Sequence, residues 1–279
     1  MKKISITTSS FGEYDNRPLN LLKTKGFEVS MNPYGRKLKD KEIIEVCNGA
    51  VGIIAGTEML DRKVMAQLKS LKVISRCGVG LENVDLKAAK EFGIKVFNTP
   101  DGPTVAVAEL TIAMMLNLLR KIHIVDSNLK KGKWEKEMGN LLSGKRVGII
   151  GFGRIGKAVA KLIGPFGCVV KYSDPFLKES IESFEKMPLE ELISWADILS
   201  IHVSKGGEII GEKEIKLMKI GSWLLNMSRG GVVDEDAIFE AINSGHLRVA
   251  ALDVFEKEPY DGPLKKLNNI ILTPHIVSY

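Results

Sequence analysis

The sequence has few cysteines, and their positions form no familiar ligand or disulfide pattern. Only three occur among 279 residues, at Cys47, Cys77 and Cys168, and no two of them stand in a CxxC or Cys/His spacing. Disulfide-rich secreted domains and zinc sites need closely spaced and usually paired cysteines. The sequence therefore argues against a disulfide framework and a metal site, and it predicts a reduced, cytoplasmic protein.

Long apolar runs and long basic runs are also missing. The first ten residues, MKKISITTSS, have no apolar core after the two lysines, which does not fit a secretory signal. The most apolar segment, Val105–Leu119, contains Glu109 and Asn117 and is shorter than the roughly 20 residues of a membrane span. The net charge is +6, but lysine and arginine alternate with acidic residues. We expect a small-molecule partner, without nucleic acid or membrane.

The composition is that of a globular protein with a full hydrophobic core. Apolar residues make up 44% of the chain and charged residues 27%. A chain of 279 residues suits one large or two ordinary domains. Short apolar segments alternate with amphipathic segments of helical length, and this alternation predicts an α/β protein with parallel sheets and helices on both faces.

The predicted elements form two series, and the stretch NTPDGP at residues 98–103 separates them. Two prolines and a glycine interrupt regular structure there, so we predict one lobe at residues 1–98 and another at residues 99–279. The first lobe has predicted strands at Ile4–Thr7, Phe27–Met31, Ala50–Ala55, Lys72–Arg76 and Ile94–Phe97, and predicted helices at Lys39–Cys47, Asp61–Leu68 and Asn83–Phe92. The second has predicted strands at Val147–Ile150, Val169–Ser173, Ile198–Ile201, Trp223–Asn226, Val249–Leu252 and Ile270–Leu272, and predicted helices at Arg154–Phe166 and Glu235–Asn243.

A long apolar helix is predicted directly after Pro103, which suits the first turn of a helix. Its apolar residues lie on two faces, one with Val105, Ala108, Ile112, Leu116 and Leu119, the other with Val107, Leu110, Met114 and Leu118. A helix that is apolar on most sides is buried on most sides. Two interpretations remain open, an interior helix of one chain and a helix shared with a second subunit.

The stretch RVGIIGFGRIG, residues 146–156, predicts a strand, a glycine-rich turn and a helix. In that setting Gly151 allows the tight turn, Gly153 lets a pyrophosphate approach the backbone, and Gly156 lets the helix pack closely on the sheet. The helix amino terminus offers N–H groups and a positive dipole end to phosphates, and Arg154 can add a cation. The alternative is a purely structural turn.

An acidic residue follows the next predicted strand. Asp174 stands eighteen positions after Gly156, in KYSDPF. Its carboxylate can accept hydrogen bonds from the ribose hydroxyls of adenosine and would repel a 2′-phosphate. The expected cofactor is therefore NAD.

Other polar residues follow the later strands of the second series. Ligands of open α/β sheets bind beyond the carboxyl ends of the strands, which draws attention to Arg229 in NMSRGG, to Asp253 and Glu258 in ALDVFEKEP, and to His275 in TPH. His202 also ends a predicted strand, and packing is its other interpretation.

The ordered motifs GFGRIG, Asp174, NMSRGGVVDEDA, ALDVFEKEP and TPH resemble those of the D-isomer-specific 2-hydroxyacid dehydrogenases, most closely the phosphoglycerate dehydrogenases of serine biosynthesis. SRCGVGLENVD, residues 75–85, and VAELTIAMML extend the likeness over nearly the whole chain. The resemblance implies a flavodoxin-like substrate lobe, a Rossmann NAD-binding lobe and a homodimer formed through the NAD-binding lobe, which favours a shared long helix.

The chemistry of such an enzyme suits these side chains. Arg229 can hold the substrate carboxylate with its fork of donors, and the backbone N–H groups of Gly78, Val79 and Gly80 can complete an anion site. His275 can exchange the hydroxyl proton near neutral pH, and Glu258 can fix its tautomer. The resemblance implies that Asp253 contacts the nicotinamide. The full set of expected cofactor contacts is Gly151, Gly153, Arg154, Ile155, Gly156, Asp174, His202, Val203, Met227, Ser228 and Asp253.

The sequence departs from the family pattern at several places. Ser204 replaces a frequent proline, Glu82 replaces a frequent aspartate, and the stretch Ile53–Glu58 has no arginine or lysine to bind a substrate phosphate. Relatives continue past the TPH motif, whereas this sequence ends at Tyr279, so we expect the first lobe to lack a carboxy-terminal return segment. D-3-phosphoglycerate is the expected substrate. The alternatives are glyoxylate or hydroxypyruvate reduction, an inactive fragment, and a non-catalytic NAD-sensing regulatory protein.

Overall fold

The computed structural model describes residues 1–9, 11–181 and 183–277. The expected chain end at Tyr279 therefore lies outside the described residues. The chain divides into two compact units, Met1–Pro103 and Thr104–Tyr279. Each unit contains one parallel sheet, which confirms the expected α/β class.

The first unit contains a five-stranded parallel sheet in the order β2-β1-β3-β4-β5, the order of flavodoxin-like folds. The strands are β1 (Lys2–Ile6), β2 (Phe27–Met31), β3 (Ala50–Ala55), β4 (Val73–Arg76) and β5 (Lys95–Phe97). The helices are α1 (Arg17–Thr24), α2 (Asp40–Cys47), α3 (Arg62–Gln67) and α4 (Leu86–Glu91). The side chains of Asp61 and Asp85 begin α3 and α4 by accepting hydrogen bonds from the N–H groups of Val64 and Ala88.

The core of the first unit is built mainly from three of its helices and two of its strands. Apolar residues of α2, α3 and α4, such as Ile43, Met65 and Ala88, pack with Ile53 of β3 and Ile74 of β4 in a single buried cluster. In contrast, neither α1 nor β2 has a fully buried residue. Helices are therefore present, as expected, but most of the buried packing belongs to three of them.

The second unit contains a seven-stranded parallel sheet in the order β12-β11-β10-β9-β6-β7-β8. Six of these strands, counted along the chain, follow the order 3-2-1-4-5-6 of a Rossmann fold. The strands are β6 (Arg146–Ile150), β7 (Val169–Ser173), β8 (Glu185–Lys186), β9 (Ile198–Ile201), β10 (Ser222–Asn226), β11 (Leu247–Leu252) and β12 (Ile271–Leu272). The helices are α5 (Thr104–Arg120), α6 (Ile122–Lys130), α7 (Arg154–Ile163), α8 (Leu189–Trp195), α9 (Glu212–Leu217) and α10 (Glu235–Asn243).

The central strands of this sheet are buried on both faces. Every residue of β9 and of β10 is buried, which explains why their sequences are mostly apolar. One buried cluster contains residues of α5 and α7, including Met115 and Val159. A second contains residues of α8, α9 and α10, including Leu192 and Ile238. Helices therefore cover both faces.

The long helix α5 is buried along part of its circumference. Val107, Met114 and Leu118 lie in the core, whereas Val105 is 60% exposed. The predicted helix at residues 154–166 is α-helical to Ile163 and ends in a short 3-10 turn, Gly164–Phe166.

Two further properties hold for the part of the chain that the structure describes. Within it, no helix is long and apolar enough to cross a membrane. Nor do three or more of its His, Cys, Asp and Glu side chains form a group that could hold a metal ion.

Candidate functional site

The candidate site lies at the carboxyl edge of the second sheet. The glycine-rich turn follows β6, Asp174 follows β7, His202 follows β9, and Arg229 follows β10. The chain runs from β6 to β7 on one side and returns to β9 on the other. A change of direction of this kind opens a ligand-binding crevice at the carboxyl ends of the strands.

The glycines of the turn at residues 151–156 meet three different requirements. Gly151 has a φ of +85°, and a Cβ there would lie 2.6 Å from the carbonyl oxygen of His202. A Cβ on Gly156 would lie 2.2 Å from the carbonyl oxygen of Gly151, so this glycine lets α7 approach the turn. A Cβ on Gly153 would meet nothing within 4 Å, which leaves open space beside the backbone there.

The amino terminus of α7 is suited to an anion. Gly153 precedes the helix and provides no side-chain cap, and the first turn contains no acidic residue. The first N–H groups of a helix have no partner within the helix, and they carry its positive dipole end. Together with the space beside Gly153, these residues fit the pyrophosphate of a dinucleotide. Arg154 is exposed at the first position of α7, and Ile155 packs against the core.

Asp174 is buried beside the glycine-rich turn. One oxygen, Oδ2, accepts a hydrogen bond of 2.8 Å from the N–H of Phe152, and Oδ1 accepts one of 2.8 Å from the N–H of Phe176. The carboxylate therefore holds the turn after β6 against the end of β7. A carboxylate has about four acceptor positions, so each oxygen can also accept a hydrogen bond from a ribose hydroxyl.

His202 contacts the turn through its backbone. Burial lowers the pKa of its imidazole to about 3, so the ring is neutral. The ring atom Nε2 lies 2.8 Å from the hydroxyl oxygen of Ser200. Its neighbour Val203 packs against the second buried cluster of this unit. A cofactor at this position would meet chiefly main-chain atoms.

The two residues after β10, Met227 and Ser228, are fixed by burial and by hydrogen bonds. The side chain of Met227 lies in the core with 2% exposure. The hydroxyl of Ser228 donates a hydrogen bond of 2.8 Å to Oδ1 of Asn226, which also accepts one from the N–H of Ser228. The main chain at this strand end is therefore fixed by Asn226.

His275 and Glu258 are in direct contact. The distance between Nδ1 of His275 and Oε2 of Glu258 is 3.0 Å, and the side chains are 46% and 39% exposed. The other oxygen, Oε1, accepts a hydrogen bond of 3.2 Å from the N–H of Phe255. Because a carboxylate only accepts, this contact places a hydrogen on Nδ1. The partly exposed ring can then exchange a proton at Nε2.

Asp253 is fully buried and binds the turn that carries His275. Its Oδ1 accepts hydrogen bonds from the hydroxyl of Thr273 at 2.5 Å and from the N–H of Ile276 at 2.9 Å. Its Oδ2 accepts one of 3.1 Å from the N–H of Val277. The N–H of His275 donates to the carbonyl oxygen of Asp253 at 2.9 Å.

Arg229 lies on a loop that packs closely against the loop before Glu258. Its Nη1 donates to the carbonyl oxygen of Ser228 at 2.8 Å, and its own carbonyl oxygen accepts from Nδ2 of Asn226 at 3.0 Å. A Cβ on Gly230 would lie only 1.8 Å from the carbonyl oxygen of Phe255. The glycine therefore allows the loops after β10 and β11 to touch.

The Gly78–Gly80 stretch belongs to the first unit and follows β4. The N–H of Gly78 donates to the hydroxyl oxygen of Thr99 at 2.9 Å, and the N–H of Thr99 donates back to the carbonyl oxygen of Gly78 at 3.0 Å. Nδ2 of Asn98 donates to the carbonyl oxygen of Val79 at 2.8 Å. Since Thr99 already uses the N–H of Gly78, an anion here would depend on the neighbouring donors.

Sequence reasoning did not single out Arg76, which lies at the same turn. A Cβ on Gly78 would be 2.5 Å from Nη1 of Arg76, and this nitrogen donates to the carbonyl oxygen of Cys77. The position of Arg76 as the last residue of β4 was the available signal. It provides a cation beside the Gly78–Gly80 stretch.

The stretch Ile53–Glu58, which has no cation, ends in a buried carboxylate. Glu58 is 1% exposed and accepts hydrogen bonds from the hydroxyl of Thr7 and from the N–H of Gly56. The expected catalytic and cofactor residues all lie in the second unit, with Glu258 and His275 in contact. The Gly78–Gly80 stretch lies in the first.

The chain was compared with known proteins. A family model described as the NAD binding domain of D-isomer specific 2-hydroxyacid dehydrogenase matches residues 112–277. A D-3-phosphoglycerate dehydrogenase of Archaeoglobus fulgidus is 38% identical over 270 residues, which cover 93% of this chain and 51% of the relative. A hydroxypyruvate reductase of Thermotoga maritima is 42% identical over 217 residues, which cover 75% of this chain and 71% of the relative.

A solved structure shares the fold of this chain. The TT0316 protein from Thermus thermophilus superposes with a TM-score of 0.92 at 36% identity, covering 99% of this chain and 90% of that chain. The chain spans about half the length of the D-3-phosphoglycerate dehydrogenases that it matches.

Proposed function

Because the chain belongs to the D-isomer specific 2-hydroxyacid dehydrogenase family, we propose that it interconverts a small D-2-hydroxy acid and its 2-keto acid. It contains the NAD-binding domain of that family, and NAD, when bound, accepts or donates the hydride. The observation that carries the proposal is the contact of His275 with Glu258, in the same unit as a turn and helix terminus that fit a dinucleotide.

The residues that would hold NAD are those of the turn and of the adjacent strand end. The N–H groups at the start of α7 would bind the pyrophosphate, with space provided by Gly153. Asp174 would accept hydrogen bonds from the ribose hydroxyls, and its charge disfavours a 2′-phosphate. The main-chain groups around His202, Val203, Met227 and Ser228 are proposed as further contacts.

Proton transfer is proposed for His275. During oxidation its Nε2 would take the proton of the substrate hydroxyl, and during reduction it would return that proton. Glu258, 3.0 Å from Nδ1, would keep the ring in the required tautomer and orientation. Arg229 would bind the substrate carboxylate through its fork of N–H donors and polarise the C2 oxygen.

The test of the proposed function is turnover by the His275→Ala variant. We expect wild-type protein to oxidise NADH with a 2-keto acid, and His275→Ala to lose about 100-fold or more of kcat, the effect typical of losing a general acid. NADH should bind both proteins equally, because the substitution leaves the turn and α7 intact. Near-normal turnover by His275→Ala would refute the role of this residue, and NADH binding without wild-type turnover would favour an NAD sensor.

D-3-Phosphoglycerate is the proposed substrate, and the 38–41% identical D-3-phosphoglycerate dehydrogenases support it. Hydroxypyruvate or glyoxylate is the second candidate, because the stretch Ile53–Glu58 contains the buried carboxylate of Glu58 and no cation that could bind a phosphate. A hydroxypyruvate reductase is also 42% identical. Comparing kcat/KM for phosphohydroxypyruvate, hydroxypyruvate and glyoxylate with NADH separates them. If Arg76 binds the substrate phosphate, Arg76→Gln should lower kcat/KM most for phosphohydroxypyruvate.

A homodimer formed through the second unit is part of the proposal. Ile122, Leu129, Trp134, Met138 and Leu141 are each more than half exposed and lie within twenty residues of the chain. Ile122, Leu129 and Trp134 line one surface groove. Exposed apolar residues that lie together mark interaction sites, and the family resemblance favours a second copy as the occupant. We call residues 122–141 the apolar arm.

A further inference from the structure

The turn that carries His275 has an uncommon backbone. It leaves the sheet after β12, which is only two residues long. His275 has a φ of +56°, and besides Lys121 it is the only non-glycine residue with a positive φ among residues 1–9, 11–181 and 183–277. This conformation is uncommon for residues with a side chain, and surrounding contacts stabilise it where it occurs.

Asp253 provides those contacts from the end of the neighbouring strand, β11. Three donors of the turn, namely the hydroxyl of Thr273 and the N–H groups of Ile276 and Val277, converge on its carboxylate. The N–H of His275 donates to the carbonyl oxygen of the same residue. Asp253 has 0% exposure, so these donors replace the water that a buried carboxylate loses.

The imidazole itself is restrained much less. It is 46% exposed, so packing alone does not fix its orientation. The position of the backbone of His275 decides whether Nδ1 reaches Glu258. An error of about an ångström in such a position can cost about 100-fold in rate.

From these contacts we infer that Asp253 is a positioning residue, which holds the 273–277 turn so that His275 meets Glu258. The inference rests on the proposed function for its kinetic consequence, but not for its structural one. It assigns Asp253 a role apart from the nicotinamide contact that the family resemblance implies. The positioning role and the nicotinamide contact can be told apart, because only the positioning role involves Thr273.

The experiment uses Asp253→Asn, Thr273→Val and Thr273→Ser in the full chain. Asparagine keeps the size of the side chain but has one acceptor oxygen instead of two. Valine keeps the shape of Thr273 but removes the hydroxyl, and serine restores it. The readouts are kcat, KM for NADH, the dissociation constant of NADH, and the tautomer of His275 from NMR of protein with ¹⁵N-labelled histidine at alkaline pH. The chain has only four histidines, and His275→Ala assigns the relevant signal.

We expect Asp253→Asn to lower kcat about 100-fold and Thr273→Val to lower it about tenfold, with the dissociation constant of NADH unchanged within about twofold. Thr273→Ser should restore most of kcat. In wild type, the neutral His275 ring should carry its hydrogen mainly on Nδ1. In Asp253→Asn and Thr273→Val, it should show the tautomer mixture of a solvent-exposed histidine. Asp234→Asn, which changes a capping aspartate of α10 in the same unit, should leave every readout unchanged.

Weaker NADH binding by Asp253→Asn with an unchanged His275 tautomer would overturn the inference and favour a nicotinamide contact alone. An unchanged tautomer in Thr273→Val would also count against it. If wild-type protein turns over no 2-keto acid, the proposed function fails, while the tautomer measurement still decides the positioning role. Should Asp253→Asn fail to fold, Thr273→Val and Thr273→Ser provide the same test.

Discussion

Asp174 combines two interactions in one carboxylate. It accepts a hydrogen bond from Phe152 within the glycine-rich turn and another from Phe176 after its own strand. The remaining acceptor capacity faces the ribose hydroxyls in the proposed mode of NAD binding. A change at this residue should therefore affect both cofactor selectivity and the shape of the turn.

Asp174→Ala should narrow the preference for NADH over NADPH and also weaken binding of both cofactors. The first effect follows from removing a charge that repels a 2′-phosphate, and the second from leaving the N–H of Phe152 without its acceptor. Loss of a charge-assisted hydrogen bond corresponds to about a 10- to 100-fold loss of NADH affinity. Fluorescence titration with each cofactor measures this.

The matched control is Asp197→Ala, which removes a carboxylate from the opposite, amino edge of the same sheet, where it binds the N–H of Arg146. It should leave both cofactor affinities unchanged. Equal affinities of wild-type protein for NADH and NADPH would contradict the prediction.

At the residue scale, the sequence pointed to candidate site residues where a strand end or a motif spacing was enough to identify them. The glycine pattern, Asp174, Glu258 and His275 each follow a strand, and their roles stay predictions. The contacts of Asp253 with Thr273, Ile276 and Val277 join residues twenty or more positions apart. No local pattern encodes such contacts.

At the scale of elements, two glycines of the turn at residues 151–156 are expected to differ in role, Gly156 in folding and Gly153 in ligand binding. A methyl group on Gly156 would lie 2.2 Å from the carbonyl oxygen of Gly151, whereas one on Gly153 would enter open space. The first change disturbs the packing of α7 on the turn. The second affects only the volume that a pyrophosphate would occupy.

Gly153→Ala should keep the wild-type stability but lose about 10-fold or more of NADH affinity, because the methyl group occupies the proposed pyrophosphate space. Gly156→Ala should lower the free energy of unfolding by about 1–3 kcal/mol, the usual cost of overpacking. Urea denaturation and NADH titration of both variants measure these effects. Unimpaired NADH binding by Gly153→Ala would show that the pyrophosphate does not approach this position.

Secondary structure was predictable where burial leaves a strong pattern. Strand β10 is buried at all five positions, and its apolar run predicted it to within one residue. In contrast, β8 is the pair Glu185–Lys186 at the edge of the sheet, and it contains no apolar residue. The helices α1, α8 and α9 lie in gaps where helices were expected but no bounds were predicted, and α6 was not predicted. Of these, α1 and α6 have no fully buried residue.

At the scale of the whole molecule, the alternation of strands and helices predicted an α/β protein with parallel sheets, and this is confirmed. It could not decide between the two interpretations of α5, because a helix in a core and a helix at an interface have similar apolar patterns. The exposure of Val105 and of the apolar arm is information that only the folded chain provides. The proposed interface with a second copy rests on this exposure.

The prediction for the assembly follows from that exposed surface. Trp134 and Met138 are 84% and 86% exposed, and aromatic and methionine side chains are enriched in the cores of interfaces. Wild-type protein should have a mass of twice the 30.7 kDa chain by light scattering after size-exclusion chromatography. Trp134→Glu should weaken the dimer about 30-fold or more, as expected for an interface hot spot.

Ile220→Glu changes a residue outside the arm that is 82% exposed, and it should leave the dimer intact. A monomeric wild-type protein at micromolar concentration, or a Trp134→Glu dimer as stable as wild type, would exclude the apolar arm as the interface.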